Sequence, residues 1–193
     1  MTNIKVLKPT YDLGKGDAEI DNPSYNAETD YLSRGLSSDG PRKELWDLSE
    51  KKKNPTAIIC DVDGTVALMH GNRGPFDWDK VSTDKPNQWV IDLIVSYYNG
   101  TSCQIIFLSG RCDDCFDDTE EWLGNYVDIP FKLYMRPKAQ EFEKDAKIKH
   151  EIYVNQIKPK YGVQFVIDDR KQVVDMWRNV AGLKVAQVAE GNF

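Results

Sequence analysis

Two carboxylates two residues apart, Asp61 and Asp63, stand directly behind the apolar run Ala57-Ile58-Ile59-Cys60 and ahead of Gly64-Thr65. The run carries no alternation and is rich in β-branched side chains, which predicts a short strand buried on both faces. Residues i and i+2 of an extended chain point to one side, so both acids face the same small volume beyond the strand's carboxyl end. Like charges at that spacing call for a divalent cation or a shared proton. Gly64 permits an immediate turn, and Thr65 offers a hydroxyl there. A calcium loop is excluded, because no Asp or Asn follows at the next alternate position and no Glu closes a twelve-residue loop.

Further chemistry-bearing residues follow other apolar runs. Gln104-Ile-Ile-Phe-Leu108 leads into Ser109-Gly110-Arg111, a hydroxyl with backbone N–H groups at an expected helix start, suited to cradling a phosphate. Gln164 to Ile167 leads into Asp168-Asp169-Arg170, a second acidic pair. Lys149 lies on a predicted helix 19 residues before Asp168. Singly, each has an ordinary explanation: a helix cap, a match to the helix dipole, a solvated lysine face. Jointly, a nucleophile-type carboxylate pair, a phosphate cradle, a cation and a metal-binding acid pair in this order are hard to explain by chance.

These residues need a scaffold, and the periodicity predicts one. Strands are expected at 57–60, 104–108, 131–135, 164–167 and 184–188. Helices are expected at 86–98, with Trp89, Leu93, Ile94 and Tyr97 at helical spacing; at 116–126; at 141–157, with Ile148, Ile152 and Ile157 inward; and at 170–180, with Val173, Val174 and Trp177 inward. Such alternation implies an α/β fold with a parallel sheet between helices, and ligands are then expected beyond the strands' carboxyl ends. Residues 1 to about 40 mix Gly, Asn, Ser, Asp and Pro without a sustained period, and Pro41 to Lys53 suggests a short helix. The expected division is an N-terminal arm over 1–54 and one domain over 55–193.

At 193 residues the chain can bury roughly 70% of its unfolded surface without staples. Its net charge is −6; residues 1–50 hold six Lys/Arg against ten Asp/Glu, which leaves −2 for the remainder. Long-range capture of a nucleic-acid duplex is disfavoured, whereas contact with a single end or a nucleotide is not. No apolar stretch is long enough for a membrane span, no signal-peptide pattern opens the chain, and four cysteines are too few for a disulfide framework, so a reducing cytoplasm is expected. Cys112-x-x-Cys115 lacks a second ligand pair for zinc, and His70 reads as a loop residue. The stretch Gly35 to Gly40 resembles a phosphate loop, but Pro41 and Arg42 replace its Lys-Ser/Thr, so no kinase activity is expected.

The motifs Asp61-x-Asp63-x-Thr65, Ser109, Lys149 and Asp168-Asp169 resemble those of haloacid-dehalogenase (HAD) superfamily phosphatases. Within them, Gly71-Asn72-Arg73-Gly74-Pro75-Phe76-Asp77, Ser109-Gly110-Arg111, Val166 to Arg178 and the closing Gln187 to Phe193 resemble the 3′-phosphatase domains of polynucleotide kinase/phosphatases of the T-even bacteriophage type. The resemblance covers residues 55 to 193. It implies a Rossmann-like fold with a central five-stranded parallel sheet and a minimal or absent cap, since 48 residues separate Asp61 from Ser109 and 40 separate Ser109 from Lys149. It also implies Asp61 as nucleophile and Asp63 as acid and base. Mg2+ would be held by Asp61, Asp63 through its backbone carbonyl, and Asp168 or Asp169. Thr65, Arg73, Ser109, Gly110, Arg111 and Lys149 would contact phosphate or substrate. The segments after Ser109-Gly110-Arg111 and from Met135 to Glu143 are shorter than in those relatives. The implied substrate is a 3′-phosphorylated DNA or RNA end, in a phage-infected bacterial host. Two alternatives are a nucleotidase acting on free nucleoside monophosphates and, from another class, a non-catalytic adaptor that binds nucleic-acid ends. Intact acids at every motif position speak against the adaptor.

Overall fold

The computed structural model describes residues 54–191 except Asn72 and Pro75; the expected arm, its helix over 41–53 and the phosphate-loop-like stretch lie outside these. Five parallel strands form one sheet: β1 (Thr56–Cys60), β4 (Gln104–Cys112), β5 (Phe131–Arg136), β6 (Gly162–Arg170) and β7 (Val185–Gly191), in the spatial order β5-β4-β1-β6-β7. Helices α1 (Gln88–Thr101), α2 (Phe116–Tyr126), α3 (Asp145–Ile152) and α4 (Lys171–Asn179) connect them. A two-residue pair, β2 (Ala67–Leu68) with β3 (Lys85–Pro86), runs antiparallel after β1. Among the described residues between β1 and α1, the only other regular structure is a 3-10 turn at Trp78–Thr83, consistent with a minimal cap.

Residue parity along the strands sorts the core into two layers. Ile58, Cys60, Ile105 and Phe107 face α1 and α2, where Val90, Ile91, Ile94, Trp122 and Leu123 meet them. Ala57, Ile59, Ile106 and Leu108 face the other way, onto Ile148, Ile152, Ile157, Val173 and Trp177. β1, apolar on both faces, can therefore only be central, as its uninterrupted apolar run requires.

Three expectations change. Trp89 and Leu93 are exposed, and α1 buries Val90 and Ile91 beside the expected Ile94, with Tyr97 packed against the same layer. The helix expected over 141–157 is α3 preceded by a loop and followed by a π turn at Tyr153–Ile157. β4 does not stop at Leu108 but runs through Cys112, with an irregular register against β5 after Ser109. No helix among the described residues is long and apolar enough to cross a membrane.

Candidate active site

β1, with β4 and β6 on either side, brings the residues that follow these strands to one end of the sheet, where the chain order reverses. Val62 starts a tight turn whose carbonyl accepts the N–H groups of Thr65, Val66 and Ala67. Gly64 occupies the left-handed region there, at φ 81°, and a Cβ on it would lie 2.3 Å from Asp169 Oδ2. The missing side chain thus serves both the turn and the acid packed against it.

Asp61, Asp63, Gly64, Gly110, Asp145 and Asp169 line one cavity of about 330 Å3, together with Arg136, Arg170 and an apolar side of Met69, Phe76 and Trp78. Asp61 is buried; its Oδ1 accepts Lys149 Nζ at 2.7 Å, and the Thr65 hydroxyl lies 3.4 Å from its Oδ2. Lys149, itself buried, also reaches Asp168 Oδ2 at 3.2 Å and Asp145 Oδ2 at 3.5 Å. Asp168 is fully engaged: its Oδ1 accepts the N–H of Arg170, and its Oδ2 accepts Trp177 Nε1 besides Lys149. Asp169 instead turns to the cavity and meets the Thr65 hydroxyl at 3.3 Å.

Several carboxylates here share one ammonium. Burial pushes the Asp61 carboxyl well above the usual range, Lys149 opposes this, and Asp168, Asp145 and Asp169 add to it. Asp169 is raised by burial and then by Asp168. Lys149 is penalised by burial, yet Asp145, Asp168 and Asp61 outweigh that and carry it well above its ordinary value. Asp145 also meets Arg136 at 3.2 Å and Arg170 at 3.7 Å, so the unmet negative charge lies on the side of Asp61, Asp168 and Asp169. Asp61, Asp168 and Asp169 each offer one oxygen, all within 4.8 Å of one another. A small divalent cation such as Mg2+ fits this hard oxygen set and its unmet charge. The Asp63 side chain is not part of that cluster.

Asp63 sits in a different environment. Arg111 holds it in a fork, Nε to Oδ2 and Nη2 to Oδ1, both at 2.9 Å, with Arg73 Nη2 at 3.5 Å. Its side chain keeps 29% exposure to the cavity.

Four of the expected substrate contacts are held by protein groups. Arg111 shares parity with Ile105 and Phe107, so the continued strand drives it into the layer under α2. There it is fully buried and binds Asp84 at 2.7 Å and Thr119 at 3.2 Å as well as Asp63. Arg73 is buried beside it, 3.5 Å from Asp84 Oδ1. Both guanidiniums meet the buried Asp84 carboxylate. The Thr65 hydroxyl is held between Asp61 and Asp169 because the turn folds back over β1. The fourth is Ser109, fully buried, whose Oγ accepts the Arg111 N–H at 3.1 Å; Gly110, not Ser109, lines the cavity, and neither sits at a helix start.

Sequence reasoning also missed Asp84, Asp145 and Arg136. Asp84 follows a 3-10 turn and looks like any loop acid. Asp145 stands four residues before Lys149, a helical spacing that could have flagged it. Arg136 ends β5, where function is expected; it donates to the Gly110 carbonyl at 2.7 Å and to Asp145 Oδ1 at 3.2 Å. The Cys112 and Cys115 thiols are buried, and neighbouring Asp113 and Asp114 bind Lys138, whereas His70 is exposed.

The arrangement can be compared with known proteins. The phosphatase-domain family of polynucleotide kinase PNKP, a HAD family, matches residues 55–193. The chain belongs to that family. A protein of Autographa californica nuclear polyhedrosis virus that carries the provisional name bifunctional polynucleotide kinase/RNA ligase is 40% identical over 130 residues, covering 66% of this chain and 18% of its own length. A chain in the structure of the Pnkp1/Rnl/Hen1 RNA repair complex is 38% identical, with a TM-score of 0.66 over 72% of this chain and 44% of that one. A second structure of the Pnkp1/Rnl/Hen1 complex gives 37% and 0.67 over 74% and 48%. The PNKP-type domain thus spans less than half of each of these relatives. The tungstate-bound class C acid phosphatase of Bacillus anthracis, 14% identical at a TM-score of 0.50 over 78% of this chain and 73% of its own, shares the fold.

Proposed function

We propose that this domain is a Mg2+-dependent phosphomonoesterase that removes the 3′-phosphate from DNA or RNA ends through a phosphorylated Asp61. One observation carries the reading: two acids of one strand end share a cavity but have opposite surroundings, Asp61 buried against Lys149 and Asp63 part-exposed in an arginine fork. Lys149 holds the Asp61 carboxylate for attack, while Asp63 faces the cavity, where a leaving oxygen would lie.

In this mechanism an Asp61 oxygen attacks phosphorus and the bond from phosphorus to the 3′-oxygen breaks. Asp63 gives its proton to the departing 3′-oxygen. A water then attacks the phosphorus of the acyl phosphate, Asp63 takes that water's proton, and the released phosphate restores the Asp61 carboxylate. Arg111 aims Asp63 throughout. Lys149 balances charge on Asp61 and on the phosphoryl oxygens, and the Gly110 backbone borders their path. Bound Mg2+ would be held by Asp61, Asp169 and the Asp63 backbone carbonyl, with Asp168 behind them, and would screen nucleophile from phosphate.

Membership of the PNKP phosphatase family, the RNA repair setting of the structural relatives and the short insertion after β1 support a polynucleotide end as substrate. Side-by-side hydrolysis of a 3′-phosphorylated oligonucleotide, its 5′-phosphorylated counterpart and free nucleoside monophosphates tests this. Preference for the first is expected; release from the monophosphates alone refutes the substrate assignment.

The metal has its own readout. At about 100 times its dissociation constant, a ligand specific to the folded state adds about 2.7 kcal/mol, which for a domain of this size raises Tm by roughly 5–10 °C. Mg2+ is expected to produce that shift in the wild type and little in Asp169→Asn. Equal shifts in the two proteins would remove Asp169 from the site.

A further inference from the structure

We infer that the apolar side of the cavity is a stacking site for the nucleobase of the nucleotide that bears the scissile phosphate, with Phe76 as its platform. The inference rests on the reading of this site as a nucleic-acid 3′-phosphatase and deepens it. Met69, Phe76 and Trp78 share one cavity with Asp61 and Asp63, so an ester held at Asp61 shares its space with them. At about 330 Å3 the cavity is far larger than a phosphate group. Its charged residues lie at the strand ends and at the start of α3, and this side offers carbon surface to whatever the phosphate is attached to. Sugar hydroxyls find little to bond there, whereas a flat uncharged ring finds a matching face.

Phe76 is 73% exposed, a large unmet apolar surface at the site itself. Its turn is braced. The Asp77 carboxylate accepts the Gly74 N–H and Lys80 Nζ, both at 3.0 Å, and the Trp78 N–H returns to the Phe76 carbonyl at 3.0 Å. The Phe76 ring packs edge-to-face on Trp78, with centroids 5.9 Å apart at 87°. Three residues earlier, Arg73 roots the same loop beside Asp63 and Asp84. The ring is therefore presented by a hydrogen-bonded turn that follows Arg73, a partner of the proposed acid, which lowers the ordering cost of stacking.

The test is a ratio of KM values for a single-stranded 3′-phosphorylated oligonucleotide and the same strand with an abasic 3′-terminal residue. For the wild type, KM for the abasic strand is expected to be higher by roughly 5- to 150-fold, the range for one base on one aromatic ring. Phe76→Ala should collapse that ratio towards one by raising KM for the base-bearing strand, with little of the loss in kcat. Phe76→Trp should keep the ratio. A wild-type ratio near one, or a ratio that survives Phe76→Ala, overturns the assignment. If only free 3′-mononucleotides are hydrolysed, the polynucleotide reading falls, and stacking is judged by the same ratio between a 3′-mononucleotide and ribose 3-phosphate. Hydrolysis of none of the four substrates overturns both.

Discussion

Asp61→Asn is expected to lose turnover by a factor on the order of 10^4 or more while melting no lower than the wild type in metal-free buffer. The loss follows because an amide cannot form the acyl phosphate, and removing a nucleophile forfeits the covalent route entirely. The retained stability follows from the site's charge. Burial and three neighbouring acids press on the Asp61 carboxylate, so its ionised form is a burden that folding carries for function. The neutral isostere removes one of the charges that crowd Lys149, which keeps Asp168 and Asp145 as partners. Phosphate release under single-turnover conditions and a thermal melt of both proteins check the two halves. Substantial residual hydrolysis would deny Asp61 the nucleophile's role. A fall in Tm of several degrees would mean that its pairing with Lys149 holds the fold together.

Much of this was legible in the residues. The unalternating runs at 57–60 and 104–108 located the two inner strands, and parity then placed Asp61, Asp63 and the Asp168-Asp169 pair at one end of the sheet. Lys149 joined them because Ile148, Ile152 and Ile157 fix the inward face of their helical segment, which brings Lys149 over the strand ends. The partners of the arginines were not legible. An Arg after a strand reads as a phosphate contact, and only the continuation of β4 past Leu108 turns Arg111 into the core. Asp84 was invisible for a related reason: its burial depends on Arg73 and Arg111 arriving from segments 11 and 27 residues away. Nor does local sequence distinguish Asp168 from Asp169. The difference lies in Trp177 Nε1 and Lys149 Nζ, which occupy one acid and leave the other beside Gly64.

Arg111→Met is the substitution with the largest expected cost to stability, about 3–5 kcal/mol, the usual penalty for removing one partner of a buried ion pair. Against the ~5–15 kcal/mol that holds a typical domain, that is a large share. Arg111 is fully buried, and so is the Asp84 side chain it binds; without the guanidinium, Asp84 keeps, among the described residues, the cation of Arg73 at 3.5 Å. Burial already raises the Asp84 carboxyl, with Arg111 and then Arg73 opposing. Removing Arg111 therefore raises it further. A carboxyl raised by folding binds its proton more tightly in the native state, so stability falls as pH rises from the unfolded carboxylate range through the folded value. The Tm gap between Arg111→Met and the wild type should accordingly narrow as pH is lowered from 7 towards 5. Adding Asp84→Asn should recover part of the loss at neutral pH, because the uncompensated charge is gone. Activity should not return with it, since Asp63 would still lack the fork that aims it. A double variant that regained both would make Arg111 a counterion to Asp84 alone, whereas one that regained neither would show that packing of the long side chain, not its charge, is what the core requires.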